Sequence, residues 1–253
     1  MNSIKAIIVI DTANYAADMT QPIDISIPLR AGENNVNAWW AKPVTIEPVV
    51  MGDFIGDVNQ GGAVNFKDIK LNPHGNGTHT ECVGHIAKEN YTINQCLRKF
   101  VFVAQLISIE PQLIVNGDYI LSKENFDGRI MNNIDALVIR TLPNEEGKLN
   151  RQYSGSNFPY IHHEAITYLV EAGINHLLID LPSIDREQDD GQLLGHHAFW
   201  QYPNKVRAAA TITELIYVPD SIEDGMYLLN IQITSLESDA SPSKILLYKL
   251  NQA

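Results

Sequence analysis

The chain has 253 residues, of which 45% are hydrophobic and 19% are charged, and this balance excludes disordered, collagen-like and coiled-coil proteins. Its 18 basic and 30 acidic side chains give a net charge of −12, so we expect neither a nucleic-acid partner nor binding to anionic membranes. A chain of this length buries a sizeable core without a structural metal, so residues 1–253 are predicted to form a single domain.

The N-terminal apolar run covers only residues 6–10 before Asp11, which is shorter than the hydrophobic region of a signal peptide. No stretch approaches the roughly 18 apolar residues that a membrane span needs. The two cysteines, Cys82 and Cys96, supply neither a disulfide framework nor a four-cysteine zinc site, as is typical of a reducing compartment. These features predict a cytoplasmic protein.

Short apolar runs that are rich in β-branched or aromatic residues predict strands at 7–10, 100–107, 136–139, 177–181, 227–233 and 245–250. Residues 162–172 have helical spacing instead, with Ala165, Leu169 and Ala172 at i, i+4 and i+7 and Gly173 as the stop. This helix leads directly into the strand at 177, whereas most other predicted strands follow one another without a helix. The mixture predicts an α/β fold with a mixed sheet.

Two long stretches, 30–64 and 144–159, are rich in Gly, Asn and Pro and are predicted to be irregular. Loops of this length in compact domains are often binding loops. The first of them carries the aromatic pair Trp39 and Trp40, which is a candidate for stacking against an aromatic substrate. Large aromatic residues that close the core or a dimer contact are the alternative interpretation.

Residues 72–85 contain three of the eight histidines and one carboxylate. In an extended strand His79 and Glu81 point the same way, about 7 Å apart, and can bind one ion. Nitrogen and oxygen donors of this kind suit zinc, manganese or iron rather than calcium. The alternative is that these histidines are surface or core residues that hydrogen-bond neighbouring loops.

His74 lies five residues before His79 and would face away from it in a regular strand. The intervening Gly-Asn-Gly at 75–77 is the composition expected of a β-bulge, which would turn His74 back as a third ligand. His85, just after Gly84, can return to the same pocket without binding metal, which leaves it free for proton transfer. Cys82 faces the opposite side of the strand and is predicted to pack rather than react.

Residues 77–85 resemble the His-x-Gly-Thr-His-x-Asp-x-Pro-x-His signature of the cyclase family of metal-dependent hydrolases, which includes bacterial kynurenine formamidase and isatin hydrolase. The segment 24–29 resembles the family's Asp-Leu-Ser-x-Pro-Leu, 137–141 its central strand, and 173–185 its helix-to-strand signature. The resemblance covers roughly residues 20–220 in order. It implies a swivelling β/β/α fold, in which a mixed, partly barrel-like sheet is flanked by helices.

The resemblance also implies site residues. His79 and Glu81 would be metal ligands, His85 the catalytic histidine, and either His196 or His197 would join Glu214 at a second metal position.

The chain departs from the signature at two positions. The family's first histidine aligns with a glycine, so His74 is displaced by one residue, and Glu81 replaces an aspartate, which moves the carboxylate outward by about 1.5 Å. The two changes either compensate each other or mark a branch with a different metal, a single metal or none.

The resemblance implies a homodimer or larger assembly that uses zinc or manganese to hydrolyse the carbon–nitrogen bond of a small amide. An N-formyl arylamine such as N-formylkynurenine is the leading substrate. Hydrolysis of a cyclic amide, as in isatin hydrolase, is an alternative within the same enzyme class. A non-catalytic ligand-binding homologue with an altered metal site is an alternative outside it.

Overall fold

A computed structural model describes residues 4–252. Its strands are β1 (Lys5–Ile10), β2 (Ala13–Asp18), β3 (Ile23–Asp24), β4 (Thr45–Pro48), β5 (Val50–Met51), β6 (Phe54–Ile55), β7 (Lys67–Lys70), β8 (His79–Glu81), β9 (Val101–Ile109), β10 (Gln112–Leu113), β11 (Tyr119–Leu121), β12 (Ala136–Thr141), β13 (Tyr160–Ile161), β14 (His176–Ile179), β15 (Thr211–Glu214), β16 (Gly225–Ile233), β17 (Ala240–Lys249) and β18 (Asn251–Gln252). Its α-helices are α1 (Pro73–Asn76), α2 (Ile93–Cys96), α3 (His163–Glu171) and α4 (Leu194–Trp200). Short 3-10 helices occur at Val58–Gln60, Val83–His85, Lys123–Asn125 and Glu146–Leu149.

Seven strands form a closed, mixed barrel. They run in the order β16, β9, β12, β14, β15, β8 and β17, and pairing of β17 with β16 closes the ring, while β3 adds to β17 outside it. The pairs β9–β12, β12–β14 and β14–β15 are parallel, and the other pairs of the ring are antiparallel. The predicted α/β fold with a mixed, partly barrel-like sheet is confirmed.

Each of the six predicted strands overlaps a strand of the structure, and α3 occupies the predicted helix. Gly173 follows α3 with a φ of +91°, a left-handed conformation that glycine adopts without strain. The largest difference is at β17, which begins at Ala240, five residues before the predicted start at 245. Polar residues there, such as Ser241, are placed in the strand by pairing with β8 rather than by hydrophobic alternation. The stretch 30–64, predicted to be irregular, also contains the short strands β4, β5 and β6.

Alternating residues of β12 point into two different cores. Ala136 and Val138 join the interior of the barrel, together with Cys82, which is fully buried there as its predicted packing role requires. Leu137 and Ile139 face outward, toward a second core that α3 and α4 cover. None of the helices in residues 4–252 has the length and apolar character that crossing a bilayer requires.

His176, the first residue of β14, is buried at the end of the barrel where β12 and β14 begin. Its ring lies 3.9 Å from that of Phe102, and its Nδ1 lies 2.8 Å from the hydroxyl oxygen of Thr211. Burial, together with the charge of Arg207, lowers the pKa of His176 from 6.5 to about 4. Folding therefore favours the neutral ring.

We expect this burial to make the protein less stable in mild acid. Because the unfolded state binds the proton more tightly, His176 lowers the free energy of unfolding as the pH falls from 6.5 to about 4, by about 3 kcal/mol in all. Urea unfolding of the wild type and of His176→Gln at pH 7 and pH 4.5 measures this, since the variant should lose less stability on acidification. Equal losses in the two proteins would contradict the assignment.

Candidate metal centre

The candidate site forms where β8 lies between β15 and β17. Antiparallel pairing with β15 places Glu214 directly opposite His79. On the other side, β17 places Ala240 opposite Glu81. Strand register thus brings together side chains that are far apart in the sequence.

His79, Glu81, His196 and Glu214 meet in the buried part of this site. The distance from His79 Nε2 to Glu214 Oε2 is 3.4 Å, and that from His196 Nε2 to Glu81 Oε1 is 3.2 Å. The side chains of His79 and Glu81 are fully buried, and those of His196 and Glu214 are nearly so. Histidine nitrogens and carboxylate oxygens at such separations are ligands that zinc and manganese accept.

Two polar atoms in this cluster lack hydrogen-bond partners. Among the residues described, His79 Nε2 and Glu81 Oε2 are the buried side-chain nitrogen and oxygen atoms without one. Such atoms destabilise a fold by about 1–3 kcal/mol each when nothing compensates them. His79 Nδ1 lies 3.0 Å from the carbonyl oxygen of Gly77 and donates to it, which leaves the lone pair of Nε2 facing the cluster. These two atoms, His79 Nε2 and Glu81 Oε2, are the orphaned pair, and they fit a divalent cation.

Glu81 carries a negative charge in spite of its burial. Burial raises its pKa, but the nearby His85 and His196 outweigh this effect and hold the pKa of the carboxyl group well below its usual range. An ionised carboxylate without solvent contact is the form that binds a cation.

His74 reaches the cluster by a different route from the predicted one. The predicted bulge at 75–77 is wrong, because residues 73–76 form one helical turn, α1. Asn72 caps this turn by accepting a hydrogen bond from the Gly75 amide at 3.2 Å, and Pro73 fits the first helical position. The turn nevertheless brings His74 Nδ1 to 3.1 Å from Glu81 Oε2, outside hydrogen-bonding geometry. This is the distance of an ion pair, and two ligands of one cation lie at a similar separation.

The absence of a side chain at Gly75 allows α1 to pack closely against the loop before it. A Cβ atom at this position would lie 2.5 Å from the Cβ of Ala41 and 2.8 Å from the carbonyl oxygen of Ala38. The family's first histidine aligns with this glycine, so no side chain fits at its place and His74 takes the adjacent one.

His196 is oriented by a buried carboxylate. Its Nδ1 lies 2.5 Å from Asp185 Oδ2, and the two oxygens of Asp185 also accept the backbone N–H groups of Gly195 and His196. Burial raises the pKa of Asp185, but the hydrogen bond and charge of His196 lower it further than burial raises it. The carboxylate thus fixes the ring so that Nε2 faces Glu81.

The structure distinguishes between the two candidate histidines of α4. His197 faces away from the cluster, and its Nδ1 donates to the backbone carbonyl of Tyr202 at 3.1 Å. Consecutive residues of a helix are about 100° apart, so only one of the pair can face β8. His197, proposed from the sequence as a possible ligand, is therefore placed outside the centre.

His85 lies at the mouth of the site, at the end of the 3-10 helix Val83–His85. Its side chain is 30% exposed, its Nδ1 is 3.9 Å from Glu81 Oε2, and its ring is 5.5 Å from that of His196. The position combines access to solvent with proximity to the buried carboxylate, as proton transfer requires.

Residues 18–186, about two thirds of the chain, match the model of the Cyclase family, described as "Putative cyclase". The chain belongs to the cyclase family. The resemblance found in the sequence is thereby confirmed.

A kynurenine formamidase of Bacillus cytotoxicus is 27% identical over 232 residues, which are 90% of this chain and 97% of that protein. A kynurenine formamidase of Bacillus cereus is 25% identical over 223 residues, which are 87% of this chain and 93% of the relative.

Solved structures share the fold. A protein described as a predicted metal-dependent hydrolase from Bacillus stearothermophilus matches with a TM-score of 0.64 at 18% identity, covering 90% of this chain and 98% of that chain. Isatin hydrolase A from Labrenzia aggregata matches with a TM-score of 0.64 at 17% identity, covering 90% of this chain and 93% of the other. At these identities the likeness establishes the cyclase fold.

Within residues 4–252 of this cyclase-family chain, three groups of side chains have ligand atoms within 4.8 Å of one another and could each hold a metal ion. The groups are His74, His79 and Glu81; Glu81, His85 and His196; and His74, His85 and Asp239. Glu81 and His74 are each shared by two groups. A cation that bound His74 Nδ1 would displace a proton, because Asp239 and Glu81 outweigh burial and raise the pKa of His74 to about 10.

Asp239 was not predicted from the sequence. Its Oδ2 lies 2.9 Å from His74 Nε2 and 3.2 Å from His85 Nδ1. It lies more than 150 residues from both histidines, next to Glu237 and Ser238 in a polar segment that is typical of a solvated loop. Only the pairing of β17 with β8 indicates that it reaches the site.

The two tryptophans have different environments. Trp39 packs edge-on against Phe158, with ring centroids 5.8 Å apart, and so takes part in a small core. Trp40 is 70% exposed and lines a cavity of about 520 Å³ together with Gln152 and Asn76, a residue of α1. Both have positive φ angles, 60° and 49°, which are strained for large side chains. Of the predicted substrate-stacking pair, Trp40 lines a cavity, whereas Trp39 packs in a core.

Proposed function

We propose that this cyclase-family protein is a metal-dependent amide hydrolase that deformylates N-formylkynurenine or a related N-formyl arylamine. The main support for a metal-binding site is the orphaned pair, His79 Nε2 and Glu81 Oε2, which is buried among further histidine and carboxylate groups. The amide substrate is supported by the kynurenine formamidases, which align with this chain over nearly its whole length.

The residues at hand fit two adjacent cation positions that share Glu81. His74 Nδ1, His79 Nε2 and Glu81 Oε2 would hold one cation, and Glu81 Oε1, His196 Nε2 and Glu214 would hold the other. Zinc and manganese are the metals we propose. When bound, such a cation activates a water molecule for attack and polarises the substrate carbonyl.

His85 is the residue we assign to proton transfer. Its Nδ1 faces Asp239, so Nε2 is the ring nitrogen left for the reacting atoms. It accepts a proton from the attacking water as the oxygen–carbon bond to the formyl group forms, and it returns that proton to the nitrogen as the carbon–nitrogen bond breaks. The products are formate and the free arylamine.

The experiment is a reconstitution. Protein stripped of metal with a chelator is reloaded with Zn²⁺ or Mn²⁺, and its turnover is measured on N-formylkynurenine and on isatin. We expect metal to restore formyl release, with a higher kcat/KM for N-formylkynurenine. A higher kcat/KM for isatin would instead assign a cyclic amide, and bound metal without turnover on either substrate would indicate a ligand-binding homologue.

A further inference from the structure

Asp239 joins the two histidines that lie at the mouth of the centre. Its Oδ2 is 2.9 Å from His74 Nε2 and 3.2 Å from His85 Nδ1, so a single carboxylate oxygen accepts from both rings. The two rings lie 4.4 Å apart and are tilted by only 31°, which matches donation to one common acceptor. Each ring has one nitrogen bonded to Asp239 and one nitrogen left for another role.

We propose that Asp239 is a positioning residue. It determines which ring nitrogen of His74 faces the metal position and which ring nitrogen of His85 faces the reacting atoms. This inference rests on the proposed function. With His74 Nε2–H donated to Asp239, the Nδ1 atom is the one presented to a cation, 3.1 Å from Glu81 Oε2. With His85 Nδ1–H donated to the same oxygen, Nε2 is left to carry a proton.

The ring of His74 is less enclosed than that of His79, although it also contacts Glu81 and the His85 ring. His74 sits on a helix of one turn, and its side chain is 21% exposed, whereas His79 is fully buried and held by the Gly77 carbonyl. A partly exposed imidazole can rotate and can present either nitrogen. Asp239 removes this freedom at the position where the chain departs from the family signature.

Asp239 is itself well fixed relative to Glu81. Its backbone carbonyl accepts the amide of Cys82 at 3.0 Å, and the next residue, Ala240, pairs with Glu81 in the β8–β17 ladder. Its other carboxylate oxygen, Oδ1, accepts from the hydroxyl of Ser238 at 3.0 Å. The carboxylate that orients His74 is therefore held by the strand that carries the shared ligand.

Glu237 provides a matched control two residues away. Its carboxylate accepts from Thr92, Asn94 and Gln95 at 2.6, 2.6 and 2.8 Å, and so holds the start of α2. Removing it deletes an acidic side chain of the same segment together with three hydrogen bonds, but none of these bonds reaches the candidate ligands.

The test compares Asp239→Ala, Asp239→Asn and Glu237→Ala by metal affinity, measured by competition with a chelator for Zn²⁺. We expect Asp239→Ala to bind Zn²⁺ about 10–100-fold more weakly, as is typical when the partner of a ligating histidine is lost. Asp239→Asn should restore affinity to within about tenfold of the wild type, because an amide oxygen in place of Oδ2 still accepts from both rings. Glu237→Ala should bind as the wild type does.

Nitrogen-15 NMR of the histidine rings in the Zn²⁺-loaded wild type supplies a readout that does not depend on turnover. The proposal requires coordination of His74 through Nδ1 and a protonated Nδ1 on His85. Coordination of His74 through Nε2, or unchanged Zn²⁺ affinity in Asp239→Ala, would overturn it. Either result leaves the proposed function standing if the wild type hydrolyses formamides, whereas an inactive wild type with the expected affinities refutes the function alone.

Discussion

His79→Ala is expected to lose bound metal and hydrolysis together while the protein remains folded. The side chain makes one hydrogen bond, to the Gly77 carbonyl, and its other nitrogen has no protein partner, so its loss removes a ligand and also an uncompensated buried atom. We expect metal affinity to fall by more than about 100-fold, because a direct ligand contributes more than the groups that orient it. Metal analysis of the dialysed variant, its turnover and its circular dichroism spectrum test the three parts of this prediction.

The control for this experiment is His197→Ala. This histidine was also a candidate ligand in the sequence, but its ring donates to the carbonyl of Tyr202 instead of facing β8. The variant should keep its metal content and most of its activity. Unchanged metal content in His79→Ala, or metal loss in His197→Ala, would show that the ligands have been assigned to the wrong side chains.

Short runs of β-branched or aromatic residues predict five of the seven barrel strands, β9, β12, β14, β16 and β17, whereas β8 and β15 have no such run. Local patterns also miss the first part of β17, where Ala240, Ser241 and Pro242 have no strand pattern. Those residues are extended because β8 pairs with them across more than 150 residues of sequence. A tertiary interaction of this kind cannot be read from a window of ten residues.

The candidate site, too, is predicted from the local sequence only in part. Strand alternation predicts that His79 and Glu81 point the same way, and both contribute to the cluster on β8. The glycines at 75 and 77 favour a bulge that would bring His74 to the site, whereas Asn72-Pro73, a cap followed by a favoured first helical residue, indicates the helical turn that the structure has.

The remaining site residues depended on information beyond the local sequence. The choice between His196 and His197 depended on Asp185, eleven residues before His196, whose carboxylate binds one ring and not the other. Asp239 had no local signal, because only the ladder between β8 and β17 brings it to the histidines.

His85→Gln is expected to keep the metal and to lower turnover by about 10²-fold or more, the range for losing a general acid or base. Glutamine retains a donor that can reach Asp239, but its amide neither accepts nor releases a proton at neutral pH. Because His85 lies at the mouth and is 30% exposed, the substitution leaves the buried ligands in place. The measurement is kcat and KM at saturating Zn²⁺, together with metal content, and the fall should be in kcat. If the metal is lost as well, His85 is a ligand of the centre, and proton transfer must be assigned to another group.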